Sequence, residues 1–134
     1  MNSQLNILTE NLEKRGGLDE TLLADFLTRL DFKLPNDYLE YMKNNNGGEG
    51  SIGKNSYLNL WSLENLFDWN KNYKVEIYAP GYFIFASDGG GTAYAFDKKE
   101  GSIVSFQFIG MLMDDEPIVL GNDFSSFLDY LYHN

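Results

Sequence analysis

The chain lacks several residue types that common active sites and metal sites require. Its 134 residues include no cysteine, which excludes disulfides, thiolate nucleophiles and cysteine metal sites. The one histidine, His133, is the penultimate residue, a position where chains usually fray. Without cysteine or a well-placed histidine, the common pairs of nucleophile and base are missing. We therefore expect a protein that is not an enzyme and that uses no cofactor and no metal.

Long hydrophobic segments are also missing. No apolar run approaches the about 20 residues that a membrane-spanning helix needs. The N-terminal segment, MNSQLNILTENLEKR, has no basic start followed by a continuous apolar stretch, as a secretory signal would have. The absence of cysteine fits a reducing compartment. These features predict a cytoplasmic protein that makes no contact with a membrane.

Positive charge is scarce, and it is absent from the last part of the chain. Ten Lys and Arg stand against twenty Asp and Glu, for a net charge of −10, and no Lys or Arg follows Lys99. Nucleic-acid binding normally needs a basic surface, because contacts to phosphates dominate its affinity, so direct binding of DNA or RNA is not expected. An acidic field favours a basic partner and speeds its approach. Acidity that only keeps the protein soluble is the alternative.

The residues that are present predict one domain with three helices in its first half. Hydrophobic residues make up 43% of the chain and aromatic residues 16%, enough for one core over residues 1–134. A short additional helix is predicted within residues 1–15, a second one after its cap Asp19, and a third one from Pro35 to the Asn- and Gly-rich residues 44–48. The residues predicted to face the core are Leu5, Leu8 and Leu12, then Leu22, Leu23, Phe26, Leu27 and Leu30, then Tyr38, Tyr41 and Met42.

The second half predicts strands and a closing helix. Residues 57–61 and 92–96 alternate apolar and polar side chains, residues 82–86 are almost continuously apolar, and residues 103–108 follow a short turn. A closing helix places Phe124, Phe127, Leu128 and Leu131 on one face. The predicted fold class is α+β, with helices packed on one side of a curved antiparallel meander. N-terminal helices precede the sheet, and one C-terminal helix follows it.

Glycines at residues 89–91 raise the question of a phosphate-binding loop. In phosphate loops the glycines usually open a helix, often with a following Lys. Here they lead into the strand-like residues TAYAF with no Lys behind them. A tight hairpin turn that uses the positive φ of glycine is therefore the better interpretation.

Several acidic residues are candidates for chemistry or for binding. Glu49, Asp88 and Asp97 would act as paired carboxylates only if a deep pocket gathered them and shifted their pKa values strongly. Carboxylates beside glycine-rich turns more often cap backbone N–H groups, and we favour that role. The run at residues 114–116 lacks the alternating ligand spacing of an EF-hand loop, so it predicts a solvated loop.

Two tryptophans lie eight residues apart on either side of a short predicted helix that Ser62 can cap. Large aromatic side chains are usually core residues, but exposed ones are frequent anchors of protein interfaces. The core is the favoured place for Trp61. For Trp69 the core and a binding role stay equally open.

Six short motifs occur in a fixed order along the chain: Leu34-Pro35, Asp37-Tyr38, Asn46-Gly47-Gly48-Glu49-Gly50, Leu60-Trp61, Phe85-Ala86-Ser87-Asp88-Gly89-Gly90-Gly91 and Tyr94-Ala95-Phe96-Asp97. This ordered set resembles the SUKH superfamily over residues 25–131. The superfamily includes the domain of a yeast regulator of cell-wall assembly, and its members often have glycine at the position of Asp31. The resemblance implies that motif residues hold the fold, among them Leu34, Pro35, Tyr38, Gly47, Gly48, Glu49, Trp61, Asp88, Gly89, Gly90 and Asp97.

The resemblance also implies a function. Bacterial members of the superfamily are mostly immunity proteins that bind and neutralise a cognate toxin domain, often a nuclease. The expected partner is therefore a basic toxin protein, and the expected contact is an acidic surface. The candidate partner-binding residues are Asp114, Asp115 and Glu116, followed by Glu49, Asp88 and Trp69. A non-catalytic regulatory or scaffold module is the alternative.

Overall fold

The computed structural model describes residues 3–112 and 116–134. No helix within these two ranges is long and apolar enough to cross a membrane. In chain order the elements are α1 (Ser3–Leu8), β1 (Leu12–Glu13), α2 (Glu20–Arg29), α3 (Asn36–Asn45), β2 (Gly48–Ile52), β3 (Ser56–Leu60), a 3-10 turn (Leu63–Asn65), α4 (Leu66–Asn72), α5 (Val75–Tyr78), β4 (Tyr82–Ser87), β5 (Thr92–Asp97), β6 (Ile103–Gln107), β7 (Ile118–Gly121) and α6 (Phe124–His133).

The seven strands within the described residues form one antiparallel sheet, in which every strand pairs with its neighbours in the chain. The spatial order is β1-β2-β3-β4-β5-β6-β7, so the sheet is a complete meander. Register irregularities leave one extra residue in each of two strands, Phe85 in β4 and Leu120 in β7, and bend the strands locally. The α+β prediction with an antiparallel meander, N-terminal helices and a C-terminal helix is confirmed.

Local sequence explains where the helices start and stop. The Asp19 carboxylate accepts hydrogen bonds from the backbone N–H groups of Thr21 and Leu22, so it caps α2 as predicted. Helix α3 starts directly after Pro35 and ends at Asn46, which adopts the left-handed conformation. All three side chains predicted to face inward from α3 are buried, as are the four predicted on α6.

Three local predictions are wrong. The first helix ends at Leu8, and Leu12 lies instead in the edge strand β1, opposite Gly50 of β2. Residues 46–50 are expected to form a loop after α3, but strand β2 begins at Gly48, where pairing with β1 and β3 overrides a poor strand propensity. Leu27 remains 40% exposed on α2, because the core contacts of that helix are made by Leu23 and Phe26.

An aromatic core lies between the helices and one face of the sheet. Phe85 of β4 and Phe96 of β5 stack with ring centroids 4.1 Å apart. The Tyr38 ring of α3 meets both of them edge-on, and Phe127 of α6 meets Phe85 in the same way. These rings are fully buried, and such edge-to-face pairs stabilise the core beyond their buried area.

One carboxylate joins α3 to α6. Asp37, in the first turn of α3, accepts hydrogen bonds from the backbone N–H groups of Phe124 and Ser125 at 3.2 and 2.8 Å and from the Ser125 hydroxyl at 3.0 Å. The N–H groups at the start of a helix have no acceptor within the helix, and here the carboxylate of Asp37 from α3 accepts two of their hydrogen bonds. This contact explains structurally why Asp37 belongs to the motif set.

A side-chain amide replaces strand pairing where β3 and β4 separate. The registered pairs between these strands are Asn59 with Ser87 and Leu60 with Ala86. Beyond them, the Asn70 amide of α4 donates to the Ile84 carbonyl and accepts from the Ile84 N–H, both at 2.8 Å. Asn70 therefore completes the hydrogen bonding of buried Ile84 and fixes α4 against the sheet.

Candidate binding surface

The sheet has a second face, turned away from the aromatic core, which we call the outer face. Strand registers place one row of residues across six strands on this face: Glu13, Glu49, Asn59, Ser87, Ala93 and Phe106. Neighbouring residues in the strands, such as Leu58 and Leu60, point to the core instead. The Glu13 end of the row is exposed, whereas Ala93 and Phe106 are buried.

The exposed end of the outer face is acidic. Glu13 and Glu49 lie opposite each other in β1 and β2, and both are exposed. The Tyr57 hydroxyl of β3 donates a 2.6 Å hydrogen bond to the Glu49 carboxylate. This hydrogen bond is the main cause that raises the pKa of Tyr57, and the charges of Glu49 and Glu13 add to it. Two exposed carboxylates, those of Glu13 and Glu49, thus place negative charge at this end of the sheet.

Tyr82 and Glu116 mark a second acidic region of the outer face. Tyr82 lies opposite Asp97 on β5, and its ring meets Phe106 edge-on at 5.8 Å. Burial raises the pKa of Tyr82, and the charges of Asp97 and Glu116 raise it further. Glu116 is exposed, as predicted for a solvated loop, and it lies two residues before β7. Negative charge is therefore present near both ends of the sheet.

Four aromatic rings form a cluster that we call the aromatic wall: Trp61, Trp69, Tyr73 and Phe108. The Trp61 and Trp69 rings are 5.3 Å apart, and the Tyr73 and Phe108 rings are 4.6 Å apart. Tyr73 also stacks on Trp69 at 6.0 Å, and Trp61 stacks on Phe108 at 6.2 Å. Trp61 is buried, as predicted, whereas Trp69 is 39% exposed. Trp69 therefore has one side in the cluster and the other in solvent.

Asp88 and Asp97 support turns. The Asp88 carboxylate accepts hydrogen bonds from the N–H groups of Gly90 and Thr92, and Asp97 accepts from those of Lys99 and Glu100. These contacts agree with the capping role that the sequence favours. Gly89, at φ +83°, confirms the predicted turn with positive φ, and a Cβ there would lie 2.8 Å from the Tyr57 ring.

The other structural motif residues surround the end of α3. Leu34 is buried, and Pro35 precedes the first residue of α3. Gly47 adopts φ +102°, and a Cβ there would meet the Leu60 carbonyl at 2.6 Å. The Tyr41 hydroxyl donates to the Gly47 carbonyl at 2.9 Å, and adjacent Gly48 is buried in β2. These close approaches explain why glycine occupies the positions after α3.

None of the three carboxylates considered for acid–base chemistry lines either of two clefts in the described residues. One shallow cleft is lined by residues 33–36 and 98–101, and another by Asn11, residues 53–55, Tyr132 and His133. Neither contains Glu49, Asp88 or Asp97. Across residues 3–112 and 116–134, no group of three or more His, Cys, Asp or Glu is placed to hold a metal ion.

The predicted partner-binding residues separate into different places. Glu49 is on the exposed end of the outer face, Trp69 is in the aromatic wall, and Asp88 supports a turn. Asp114 and Asp115 lie outside the described residues. Sequence reasoning missed Glu13 and Tyr57, which reach Glu49 only through strand pairing, and also Tyr73 and Phe108. The spacing of Trp69 and Tyr73, four residues apart on a helix, could have identified that pair.

Taken together, the architecture is an α+β meander whose core lies between its helices and one sheet face, with acidic and aromatic residues on the other. The chain belongs to the SMI1 / KNR4 family (SUKH-1), whose sequence model matches residues 17–130. The family is known for toxin-immunity proteins and related interaction domains. The resemblance to the SUKH superfamily is thereby confirmed. A search of curated proteins found no match for the chain.

Proposed function

We propose that this protein is an immunity protein that binds and neutralises a cognate toxin domain in the cytoplasm. Membership in a family known for toxin immunity carries the proposal, and the surface chemistry supports it. The net charge of −10 favours a basic partner, and nucleases that grip phosphates are often basic. An acidic inhibitor of such a nuclease would be steered towards the same surface that binds the nucleic acid.

The exposed end of the outer face is the first candidate for the contact. Glu13 and Glu49 offer two carboxylates side by side, and the hydrogen bond from Tyr57 holds the Glu49 side chain in place. A carboxylate that is already oriented loses less side-chain entropy when it pairs with an Arg or Lys of the partner. The toxin would therefore place basic side chains against this end of the sheet.

Trp69 is the second candidate. Its ring is held by Trp61 and Tyr73 and remains 39% exposed. Exposed aromatic residues that are rigidly supported are the usual anchors of protein interfaces, and an aromatic face also attracts a guanidinium group. In this proposal the partner contact combines charge from Glu13 and Glu49 with an aromatic anchor.

A co-expression rescue tests the proposal. A toxin domain encoded beside this gene is induced in sensitive cells with and without the protein, and the complex is isolated. We expect rescue and a stable complex whose affinity falls as salt rises. Glu49→Gln should weaken the complex and flatten its salt dependence, whereas Glu20→Gln on α2 serves as a matched exposed control. Cell death in both cultures without a complex would refute the immunity role and favour the regulatory or scaffold module.

A further inference from the structure

The two edges of the sheet differ in how they are protected. Edge strands present unpaired N–H and C=O groups, and proteins usually shorten them or place charges on them. Strand β1 is two residues long, contains exposed Glu13 and is followed by Lys14 and Arg15. Strand β7 is four residues long and contains no charged residue. In length and charge β7 is the less protected edge, and its register irregularity against β6 lies at Leu120, beyond Ile118 and Val119.

The side chains of β7 leave apolar surface on both sides of the sheet. Ile118 is 62% exposed and Val119 is 61% exposed. Because successive residues of a strand point to opposite faces, these two side chains flank the strand on either face. Among the described strands β7 pairs only with β6, so alternate N–H and C=O groups point away from the sheet. An added strand would find both main-chain partners and apolar contacts here.

Charge disfavours a second copy of this chain as the added strand. An antiparallel pairing of two β7 strands, centred between Val119 and Leu120, places Glu116 of each copy opposite Asp123 of the other. Both residues are exposed, and like charges directly opposite each other destabilise a strand pair. No Lys or Arg occurs after Lys99 to compensate. The flanks of β7 therefore select a strand with basic ends.

We propose that the free edge of β7 receives an extended segment of a partner protein, with Lys or Arg at its ends, as an eighth strand of the sheet. Main-chain hydrogen bonds supply affinity in this mode, and alternate side chains supply specificity. The inference rests on the proposed function, because it takes the basic protein partner from there. It adds the β7 edge as a further contact site and strand addition as the mode of binding. In the bound state Glu116 and Asp123 face the basic ends of the segment.

A peptide probe tests the edge without any toxin. The isotope-labelled full chain is titrated by NMR with the peptide Lys-Thr-Val-Thr-Val-Thr-Lys, whose termini are blocked. A second titration uses the same peptide with Glu in place of Lys at both ends. We expect the Lys peptide to shift the amide resonances of residues 118–121 and of β6 at or below about 1 mM. The Glu peptide should bind at least about 10-fold more weakly at low salt.

A pair of variants locates the binding. Val119→Lys installs the charge that protects natural edges, and it should abolish the shifts and preserve the melting temperature. Ile77→Lys, at a residue of α5 that is 71% exposed, should leave peptide binding unchanged. Equal binding to Val119→Lys, or no shift in β7 at several mM peptide, would overturn the edge site.

The peptide and the rescue experiment fail independently. Peptide binding at β7 without toxin rescue supports the edge site and refutes only the identity of the partner as a toxin. Toxin rescue without peptide binding at β7 overturns the edge site, and the proposed immunity function stands on its own.

Discussion

Replacing Asn70 should loosen α4 and with it the aromatic wall. In Asn70→Ala the N–H and C=O of Ile84 both lose their hydrogen-bond partner. The 2.8 Å hydrogen bond from the Asn70 amide to the Leu66 carbonyl is lost as well. Leaving one buried polar group unsatisfied costs about 1–3 kcal/mol, so two such groups predict a loss of about 2–6 kcal/mol. Because Asn70 is half-buried and water can reach part of the gap, the lower half of that range is the expected value.

Asn70→Asp separates shape from hydrogen bonding. The carboxylate keeps an acceptor for the Ile84 N–H but loses the donor for the Ile84 and Leu66 carbonyls, which then face a negative charge. We expect a loss comparable to that of the alanine variant although the side chains of Asn and Asp have nearly the same size. Asn72→Ala, at an exposed residue of the same helix, is the matched control and should change stability by less than about 0.5 kcal/mol.

Urea unfolding followed by tryptophan fluorescence measures these changes, because both tryptophans lie in the aromatic wall that α4 supports. The Asn70 variants should also melt about 10 °C lower, given the usual relation between stability and melting temperature for a chain of this size. Equal stability of Asn70→Ala and Asn72→Ala would refute the reasoning. It would mean that the Ile84 backbone does not depend on the Asn70 amide.

Three further predictions concern residues that hold the fold. Asp37→Ala should destabilise the protein by about 2 kcal/mol in urea unfolding, since it removes the acceptors for α6. Gly47→Ala should lower the free energy of unfolding by at least about 3 kcal/mol, because the new Cβ would meet the Leu60 carbonyl. Gly16 has φ +90° but open space around it, so Gly16→Ala should lower the free energy of unfolding by only about 1 kcal/mol. Burial raises the pKa of Tyr94 to about 12, and the charge of Asp88 adds to this effect. The free energy of unfolding should therefore fall between pH 10 and 12, and Tyr94→Phe should flatten that fall.

The helical parts of the fold are readable from local sequence. Asp19 caps α2 through its own neighbours, and Tyr38, Tyr41 and Met42 follow the helical period. Asn46 then ends α3 in the left-handed conformation that asparagine tolerates. In each case the residues that decide the structure lie within a few positions of one another, so spacing and residue type are sufficient.

The missed strands depend on partners far from them in the chain. The segment Gly48–Ile52 has two glycines and no aromatic residue, and it becomes a strand because β1 and β3 pair with it on both sides. Leu12 has a helical spacing to Leu8 that is overridden by its pairing with Gly50. Propensity cannot reveal such pairings, because the free energy comes from contacts that only the folded sheet creates.

The candidate site was predictable to a smaller extent. Turn chemistry identified the structural role of Asp88, and composition identified the acidic character of the surface. The meeting of Glu13 with Glu49, however, requires the register of β1, a strand that the sequence reads as helix. Likewise the 39% exposure of Trp69 is a property of the folded chain, in which α4 packs on β4, and no local pattern encodes it.

The pairing of every strand with its neighbour in the chain has a consequence during protein synthesis. The β2–β3, β4–β5 and β5–β6 hairpins can form soon after their residues leave the ribosome, because their short loops close at little entropic cost. The helix layer is different, since α6 packs on α1, α3 and β2 and comes last in the chain order. Until residues 124–133 have emerged, a growing chain would leave exposed the parts of Phe85 and Tyr94 that Phe127 covers, and such a species binds chaperones or aggregates.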